Sequence, residues 1–208
     1  MKLIAHRGYT TKYIKENTME AFRNAFNNGF LGIECDVRKT KDDVLVICHD
    51  PFIDRVSDGS GLVSSYTYRE LLQFNFGSKE VPSKIPKLDD VLNSFDGIKV
   101  IELKTRVDFD KILPFVNENT YFISFDTSYI LELSKKYVGV KFGALNYVLN
   151  SKKDYNAKAI CLLDAIVDDY IVDKFNHLKV DIFIYGIHGK VKYVSEDIFY
   201  IVNDKIGI

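Results

Sequence analysis

Polar residues that could transfer protons or bind an anion follow several short apolar runs of the sequence. His6 and Arg7 follow the first of these runs, and His49 follows a later one. Histidine titrates near neutral pH, which suits general acid–base catalysis, and arginine can bind a phosphate group through two parallel hydrogen bonds. A lone histidine is more often a structural residue than a catalyst. Because two histidines here lie beside charged partners, a catalytic role and a structural role have about equal weight. The pattern is therefore typical of a site that transfers protons around a phosphate group.

Three carboxylates have the spacing expected of residues that share one face of a strand. Glu34 and Asp36 are two positions apart, so a strand would point both side chains to the same side. Glu102 lies in a later run and is followed at the same spacing by Lys104. Carboxylate oxygens are the ligands that Mg²⁺ and Ca²⁺ prefer, so these residues predict a divalent metal site. The alternative, of equal weight, is a set of structural ion pairs with Arg7, Arg38 and Lys104.

Other residues near the predicted strand ends have less specific patterns. Lys104 can add a positive charge to the phosphate site of Arg7. Phe52 and Tyr147 are candidates for the mouth of a substrate site, and His177 is predicted to lie at the surface end of a helix.

The elements that must position these residues alternate between strands and helices. Eight strands are predicted to begin at Leu3, Ile33, Ile98, Tyr121, Val138, Ala159, Asp181 and Phe199. Helices are predicted between most of them, for example at 19–26, 128–136 and 168–175. This alternation indicates a parallel sheet, and eight strands favour an α/β fold of the (β/α)8 TIM-barrel type, with sites at the carboxyl ends of the strands. An open, doubly wound sheet is the alternative.

Composition limits the class of protein. The chain has 208 residues, of which 47% are hydrophobic and 27% charged, as is typical of one folded globular domain. We predict a single domain over 1–208 with a small insertion after the second strand, at about 51–87, where three of the four prolines occur. The net charge of −1 and the lack of lysine or arginine runs exclude a broad nucleic-acid-binding surface.

The cysteines and the apolar runs bear on the location of the protein. Cys35, Cys48 and Cys161 form no CxxC pair and are predicted to be reduced, buried thiols. Cys35 lies between two inward carboxylates, so it is expected to face the helices. The first residues are too short in apolar length for a signal peptide, and no run approaches the roughly 18 apolar residues that span a bilayer. These features predict a cytoplasmic protein without an integral membrane segment.

The motifs also occur in the order typical of one known family. In chain order they are 4–8 (IAHRG), 16–18 (ENT), 33–38 (IECDVR), 49–51 (HDP), 85–92 (IPKLDDVL), 101–104 (IELK) and 123–126 (ISFD). Arg55 and the GSG at 59–61 resemble the insertion of that family. The chain thus resembles the glycerophosphodiester phosphodiesterases, whose barrel is of the phosphatidylinositol-phosphodiesterase type.

The resemblance implies a fold, a reaction and a set of site residues. It implies a (β/α)8 barrel with one divalent metal, Mg²⁺ or Ca²⁺, and a small glycerophosphodiester as substrate. The reaction would give sn-glycerol 3-phosphate and an alcohol, through attack by a neighbouring hydroxyl of the substrate and a cyclic phosphate. Carried over by position, the residues are the metal ligands Glu34, Asp36 and Glu102, the acid–base pair His6 and His49, and the substrate-binding Arg7 and Lys104. The resemblance does not say which histidine is the acid, and it assigns no oligomeric state.

The last third of the chain departs from the family pattern. The family has a tryptophan near its seventh strand, whereas this chain has none, and the last strand ends in VND at 202–204 instead of Thr-Asp. These changes concern the far wall of the substrate pocket and hence the alcohol that is accepted. The alternatives are a phospholipase D-like enzyme acting on lysophospholipids or sphingomyelin, a non-catalytic phosphodiester-binding module, and an unrelated α/β protein with structural ion pairs.

Overall fold

The chain forms alternating strands and helices in a computed structural model, which describes residues 1–146, 157–187 and 191–205. The strands are β1 (Lys2–Ala5), β2 (Gly32–Lys39), β3 (Leu45–Ile47), β4 (Ile98–Leu103), β5 (Thr120–Ser124), β6 (Lys141–Asn146), β7 (Ala159–Leu163), β8 (Asp181–Tyr185) and β9 (Ile198–Val202). The helices are α1 (Met19–Asn27), α2 (Tyr68–Leu71), α3 (Leu88–Ser94), α4 (Thr127–Lys136) and α5 (Asp169–His177). None of these helices is long and apolar enough to cross a bilayer.

Eight of these strands are parallel and close into a barrel. Their order is β1-β9-β8-β7-β6-β5-β4-β2, and β1 pairs with β2 to complete the circle. In that closing pair Ile4 lies opposite Gly32, and Ala5 lies opposite Ile33. The predicted (β/α)8 barrel is therefore confirmed. The open, doubly wound sheet is wrong, because such a sheet would leave two edges of the parallel set unpaired.

One predicted strand begins later than expected. In the structure β6 begins at Lys141. The sequence predicts a start at Val138, where the apolar run begins. Val138 is 91% exposed, and Gly139 has a φ of +101°, which is a turn conformation. Val138 and Gly139 thus form an exposed turn between α4 and β6. Their apolar character imitates a strand without burial to support one.

The core has an inner and an outer layer, because successive strand residues point in opposite directions. Inside the barrel, Val100, Tyr121, Cys161 and Phe183 belong to one buried cluster. The outer layer packs strands against helices and includes Cys35, as its position between Glu34 and Asp36 predicted. All three cysteines are free and buried, in agreement with the prediction.

The insertion at 51–87 has a small apolar core beside β3. Its buried members are Val46, Cys48, Ile53, Val63, Leu71, Phe76 and Ile85. Thr67 caps α2 and forms a capping box with Glu70, which fixes the start of that short helix. The segment therefore holds a defined position at the barrel rim, and its first residues directly follow His49.

Candidate active site

The turn after β1 presents the first two predicted site residues at the rim. Arg7 and Gly8 both have left-handed backbone conformations, with φ of 55° and 80°. This turn directs the backbone N–H of Arg7 to Glu34 Oε2 at 3.0 Å. Asn17, also at φ 55°, donates its N–H to the Arg7 carbonyl at 2.8 Å. A non-glycine residue is strained in this region of φ, so the contacts around Arg7 must hold it there.

Gly8 is expected to tolerate no side chain. A Cβ on Gly8 would lie 2.7 Å from Ala21 Cβ and 2.8 Å from Ala21 C in α1, whereas one on Gly29, at a similar φ of +78°, would meet nothing within 4 Å. Gly29→Ala should cost about 1–2 kcal/mol of unfolding free energy from backbone conformation alone. Gly8→Ala should cost about 1–3 kcal/mol more from overpacking. Urea unfolding of both variants tests this, and equal losses would contradict the steric argument.

Three carboxylates converge just inside the rim. Glu34 and Asp36 come from β2 and Glu102 from β4, and all three are buried. One oxygen from each lies within 4.8 Å of the other two. Burial raises the pKa of Glu34 well above its usual range, and the two neighbouring carboxylates raise it further. Buried like charges this close are unfavourable without a cation, so the oxygen donors fit a divalent metal such as Mg²⁺ or Ca²⁺.

Two cationic side chains balance part of this cluster. Lys104 Nζ lies 2.6 Å from Glu102 Oε1 and 3.2 Å from Asp36 Oδ1. Arg7 Nε lies 3.4 Å from Asp36 Oδ2. Over the described residues, no lysine or arginine side chain forms an ion pair with Glu34. The ion-pair alternative thus accounts for Asp36 and Glu102, whereas the ion-pair contact of Glu34 is with His6 at 3.9 Å.

His49 is positioned at the site by the β-hairpin of β2 and β3, at the rim of the barrel. β3 runs antiparallel to β2, so the chain returns toward the barrel. The backbone N–H of Cys48 donates to the carbonyl of Asp36 at 2.8 Å. The next residue, His49, therefore lies beside the part of β2 that carries Asp36. Arg38, considered above as a partner of the carboxylates, instead donates from Nε to the His49 carbonyl at 2.8 Å.

The imidazole of His49 has a carboxylate behind it. Its Nδ1 lies 2.6 Å from Asp50 Oδ1, and Arg55 Nε donates to Asp50 Oδ2 at 2.6 Å. The hydrogen bond from Arg55 lowers the pKa of Asp50 to about 2, so Asp50 is ionised at neutral pH and His49 Nδ1 is the donor. Nε2 is then the atom of His49 that can exchange a proton with a substrate.

The imidazole of His6 has an amide behind it. His6 Nδ1 lies 2.8 Å from Asn203 Oδ1, just after β9, and His6 Nε2 lies 3.9 Å from Glu34 Oε2. Burial lowers the pKa of His6, although the hydrogen bond with Asn203 acts in the opposite direction. With an amide oxygen as acceptor, Nδ1 carries the proton, and Nε2 faces the carboxylate cluster.

These groups surround one cavity of about 240 Å³ at the carboxyl ends of the strands. Its charged and polar walls are His6, Arg7, Glu34, His49, Glu102 and Lys104. A second cavity, of about 400 Å³, adjoins it and shares His6, Tyr185 and Ile201. The pair of cavities can hold an anionic group beside the histidines and a second group toward β8 and β9.

Comparison with known proteins identifies the family. A model of the Glycerophosphoryl diester phosphodiesterase family matches residues 6–117, more than half of the chain. The chain belongs to the glycerophosphoryl diester phosphodiesterase family. The matched segment contains all seven site residues predicted above, and it ends before the divergent last third.

Curated members of the glycerophosphoryl diester phosphodiesterase family are similar over about half of the chain. A glycerophosphodiester phosphodiesterase of Caldanaerobacter subterraneus is 38% identical over 112 residues, which are 50% of this chain and 46% of that protein. One from Bacillus altitudinis is 42% identical over 95 residues, or 44% of this chain and 38% of its own length. The matches thus span less than half the length of either relative.

Comparison with solved structures extends the similarity to nearly the whole fold. The glycerophosphodiester phosphodiesterase of Thermotoga maritima has a TM-score of 0.74 and 28% identity, covering 90% of this chain and 86% of that one. A phosphodiesterase of Oleispira antarctica, solved with the product sn-glycerol-3-phosphate, has a TM-score of 0.78 at 20% identity, covering 91% and 85%.

The barrel brings together the residues that the family pattern predicts. Six of them line the 240 Å³ cavity, and the seventh, Asp36, lies beneath it with 1% of its surface exposed. Phe52 is on the insertion, half-exposed after His49, whereas Tyr147 lies outside the described residues. His177 is exposed at the end of α5, as predicted. The chemical roles of the seven residues stay predictions.

The residues behind the histidines were not assigned roles from the sequence. Asp50 could have been found from its place beside His49, and Asn203 from its place at the end of a barrel strand. Glu16 and Arg55, which pair at 2.8 Å, are separated by 39 positions, so no local pattern connects them. Only the folded insertion brings them together.

Proposed function

We propose that the protein hydrolyses glycerophosphodiesters to sn-glycerol 3-phosphate and an alcohol, by acid–base catalysis that depends on a divalent metal. The observation that carries the proposal is the convergence of two imidazoles, two cationic side chains and three carboxylates on one cavity. A non-catalytic binding module is less well supported, because it would be expected to lack part of this set.

The two histidines would move the protons of the reaction. His6 and His49 each hold their Nδ1 against a partner and expose Nε2 toward the cavity. One Nε2 accepts the proton of the neighbouring hydroxyl that attacks phosphorus, and the other donates a proton to the alcohol oxygen whose bond to phosphorus breaks, which leaves a cyclic phosphate. Water then opens the cyclic phosphate with the two histidines in exchanged roles, and sn-glycerol 3-phosphate is formed. Each positioned proton transfer contributes on the order of 10²–10⁴ in rate.

Positive charge must offset the anionic phosphodiester. Arg7 can donate two N–H groups to the phosphate oxygens and is held in place by Glu16 at 3.0 Å. A divalent cation held by Glu34, Asp36 and Glu102 would polarise a phosphate oxygen and stabilise negative charge in the transition state. Lys104 forms ion pairs with Asp36 and Glu102 in this structure. It can therefore contact the substrate only when another cation takes its place beside these carboxylates.

The cavities support a glycerophosphodiester of modest size. The sn-glycerol-3-phosphate bound to the Oleispira antarctica relative supports a glycerol phosphate group beside the histidines. The alcohol group would then extend toward Tyr185, Gly186 and Asn203 in the adjoining cavity. This wall belongs to the part of the chain that diverges from the family pattern, so we expect it to select the alcohol.

An apolar rim supports a second candidate, action on lysophospholipids. Phe52 and Leu62 form an antiparallel bridge on the insertion and are 51% and 37% exposed. Phe125, in the wall of the catalytic cavity, is 41% exposed. Large apolar side chains in this position could contact an acyl chain that leaves the cavity.

Product analysis tests the proposed function. We expect glycerol 3-phosphate to be released from glycerophosphocholine and glycerophosphoethanolamine in the presence of Mg²⁺ or Ca²⁺. The phosphocholine diester of propane-1,3-diol, which keeps the same alcohol but has no neighbouring hydroxyl, serves as the control and should react much more slowly. Preferential cleavage of lysophosphatidylcholine would favour the second candidate. No product from any of these compounds would favour the binding module.

Two broader proposals concern the whole chain. We propose that residues 1–208 act as a single domain, because the insertion packs on β3 and its Arg55 hydrogen-bonds to Glu16, the partner of Arg7. A cytoplasmic location is proposed from the three free cysteines alone.

A further inference from the structure

We propose that Arg55, on the insertion, is a positioning residue that holds two reacting groups at once: His49 through Asp50, and Arg7 through Glu16. The proposal rests on the proposed function for the roles of His49 and Arg7. Arg55 itself lines no part of the catalytic cavity, so it would act only through these carboxylates.

The hydrogen bonds of Arg55 divide between two carboxylates. Its Nε donates to Asp50 Oδ2 at 2.6 Å, while its two terminal nitrogens donate to Glu16 at 2.9 Å and 2.8 Å. All three nitrogens of the guanidinium group therefore have a carboxylate partner. Only a planar fork of this kind can bind one carboxylate with two nitrogens and a second with the third.

Each of these carboxylates also holds one reacting group. Asp50 uses its other oxygen, Oδ1, for His49 Nδ1 at 2.6 Å. Glu16 uses Oε1 for both Arg7 NH1 at 3.0 Å and Arg55 at 2.8 Å. The network thus runs from the imidazole to the phosphate-binding guanidinium, and Arg55 is the link that connects its two halves.

The charges in the network explain why Arg55 is needed. Without it, Glu16 would interact with Arg7 alone, and Asp50 would lose the partner that fixes its second oxygen. The hydrogen bond from Arg55 is also the main cause of the low pKa of Asp50. Asp50 and Glu16 are each about a quarter exposed, so either side chain could rotate toward solvent once this anchor was removed. A displacement of about 1 Å at a reacting group can cost about 100-fold in rate.

The test compares Arg55→Lys with a matched variant, Arg106→Lys. Arg106 is also a rim arginine between two carboxylates, Asp126 at 3.2 Å and Glu132 at 3.4 Å, and is similarly exposed. Within the described part of the chain, neither partner forms a hydrogen bond or ion pair with the seven predicted site residues, although Asp126 lines a neighbouring cavity with Glu102 and Lys104. Lysine keeps the charge at both positions but not the fork. We expect Arg55→Lys to lower kcat/KM by about 10- to 100-fold and Arg106→Lys to change it by less than about threefold.

A double-mutant cycle separates positioning from a general structural role. If Arg55 acts on His49 through Asp50, Arg55→Lys should add little to the loss in kcat already caused by Asp50→Asn. If it acts on Arg7 through Glu16, Arg55→Lys should likewise add little to the rise in KM caused by Glu16→Gln. Losses that simply multiply in both cycles would overturn the proposal. Unfolding midpoints of all variants are measured alongside, and Arg55→Gln replaces any Arg55→Lys protein that fails to fold.

A readout without substrate distinguishes failure of this proposal from failure of the proposed function. The ¹⁵N resonances of the His49 ring, assigned with His49→Asn, report whether Nδ1 remains bonded to Asp50. We expect them to shift in Arg55→Lys and in Asp50→Asn, but not in Arg106→Lys. Unchanged His49 resonances in a folded Arg55 variant would overturn the positioning role, whatever the activity. Shifted resonances in a protein that hydrolyses none of the compounds above would support the positioning of His49 and reject the function.

Discussion

Replacing His49 with asparagine is expected to lower kcat by about 10²–10⁴-fold, the usual contribution of one positioned proton transfer. Asparagine can still hydrogen-bond to Asp50, which lies 2.6 Å from the histidine ring, but it cannot accept or donate a proton at neutral pH. The fold should remain, because His49 is partly exposed at the rim rather than in either core layer. Steady-state hydrolysis of glycerophosphocholine gives kcat, and thermal unfolding gives the stability.

Two further variants complete this experiment. His6→Asn should give a loss of the same order, because His6 would serve the other proton transfer. His177→Asn is the matched control, since His177 is exposed on α5 and, among the residues that the structure describes, its side chain hydrogen-bonds only to the carbonyl of Asp173 in its own helix at 2.7 Å. Near-normal kcat in folded His49→Asn or His6→Asn would remove that residue from the mechanism.

Glu102→Gln is expected to weaken divalent metal binding by at least about tenfold, because even outer partners of metal ligands contribute about 10- to 100-fold to affinity. Glutamine keeps the size of the side chain but removes one of the three negative charges within 4.8 Å of one another. Calorimetric titration of the metal-free protein with Mg²⁺ or Ca²⁺ measures the affinity directly. The metal concentration that gives half-maximal activity should rise in parallel.

The control for this prediction is an exposed carboxylate of similar size. Glu132 is paired with Arg106 at 3.4 Å, and its side chain is 67% exposed. Glu132→Gln also removes one negative charge but should leave the metal titration unchanged. If Glu102→Gln also left it unchanged, the three carboxylates would be structural ion-pair partners rather than metal ligands.

Much of the fold could be predicted from the sequence because its signals are local. Strand and helix periods alternate along the chain, and charged residues sit at the ends of apolar runs, where parallel strands meet at one rim. The two-residue spacing of Glu34 and Asp36 was enough to predict that both face the barrel interior. No strand begins at Val138, because this apolar residue is 91% exposed at a turn and burial does not support a strand there.

The partners of the site residues could not be predicted in the same way, because they depend on how distant segments meet. Asn203 contacts His6 across 197 positions, through the closure of the barrel between β9 and β1. Arg55 reaches Glu16 only because the insertion folds back over the turn after β1. Neither contact leaves a spacing in the sequence that periodicity could detect.

Release of glycerol 3-phosphate from glycerophosphocholine by metal-stripped protein shows whether the reaction depends on a divalent metal. The protein is treated with EDTA, freed of it, and assayed before and after addition of Mg²⁺ or Ca²⁺. We expect little release from the stripped protein and restoration of release by at least one of the two ions. Full release from the stripped protein would contradict the role assigned to Glu34, Asp36 and Glu102, and no release with either ion would contradict the proposed reaction.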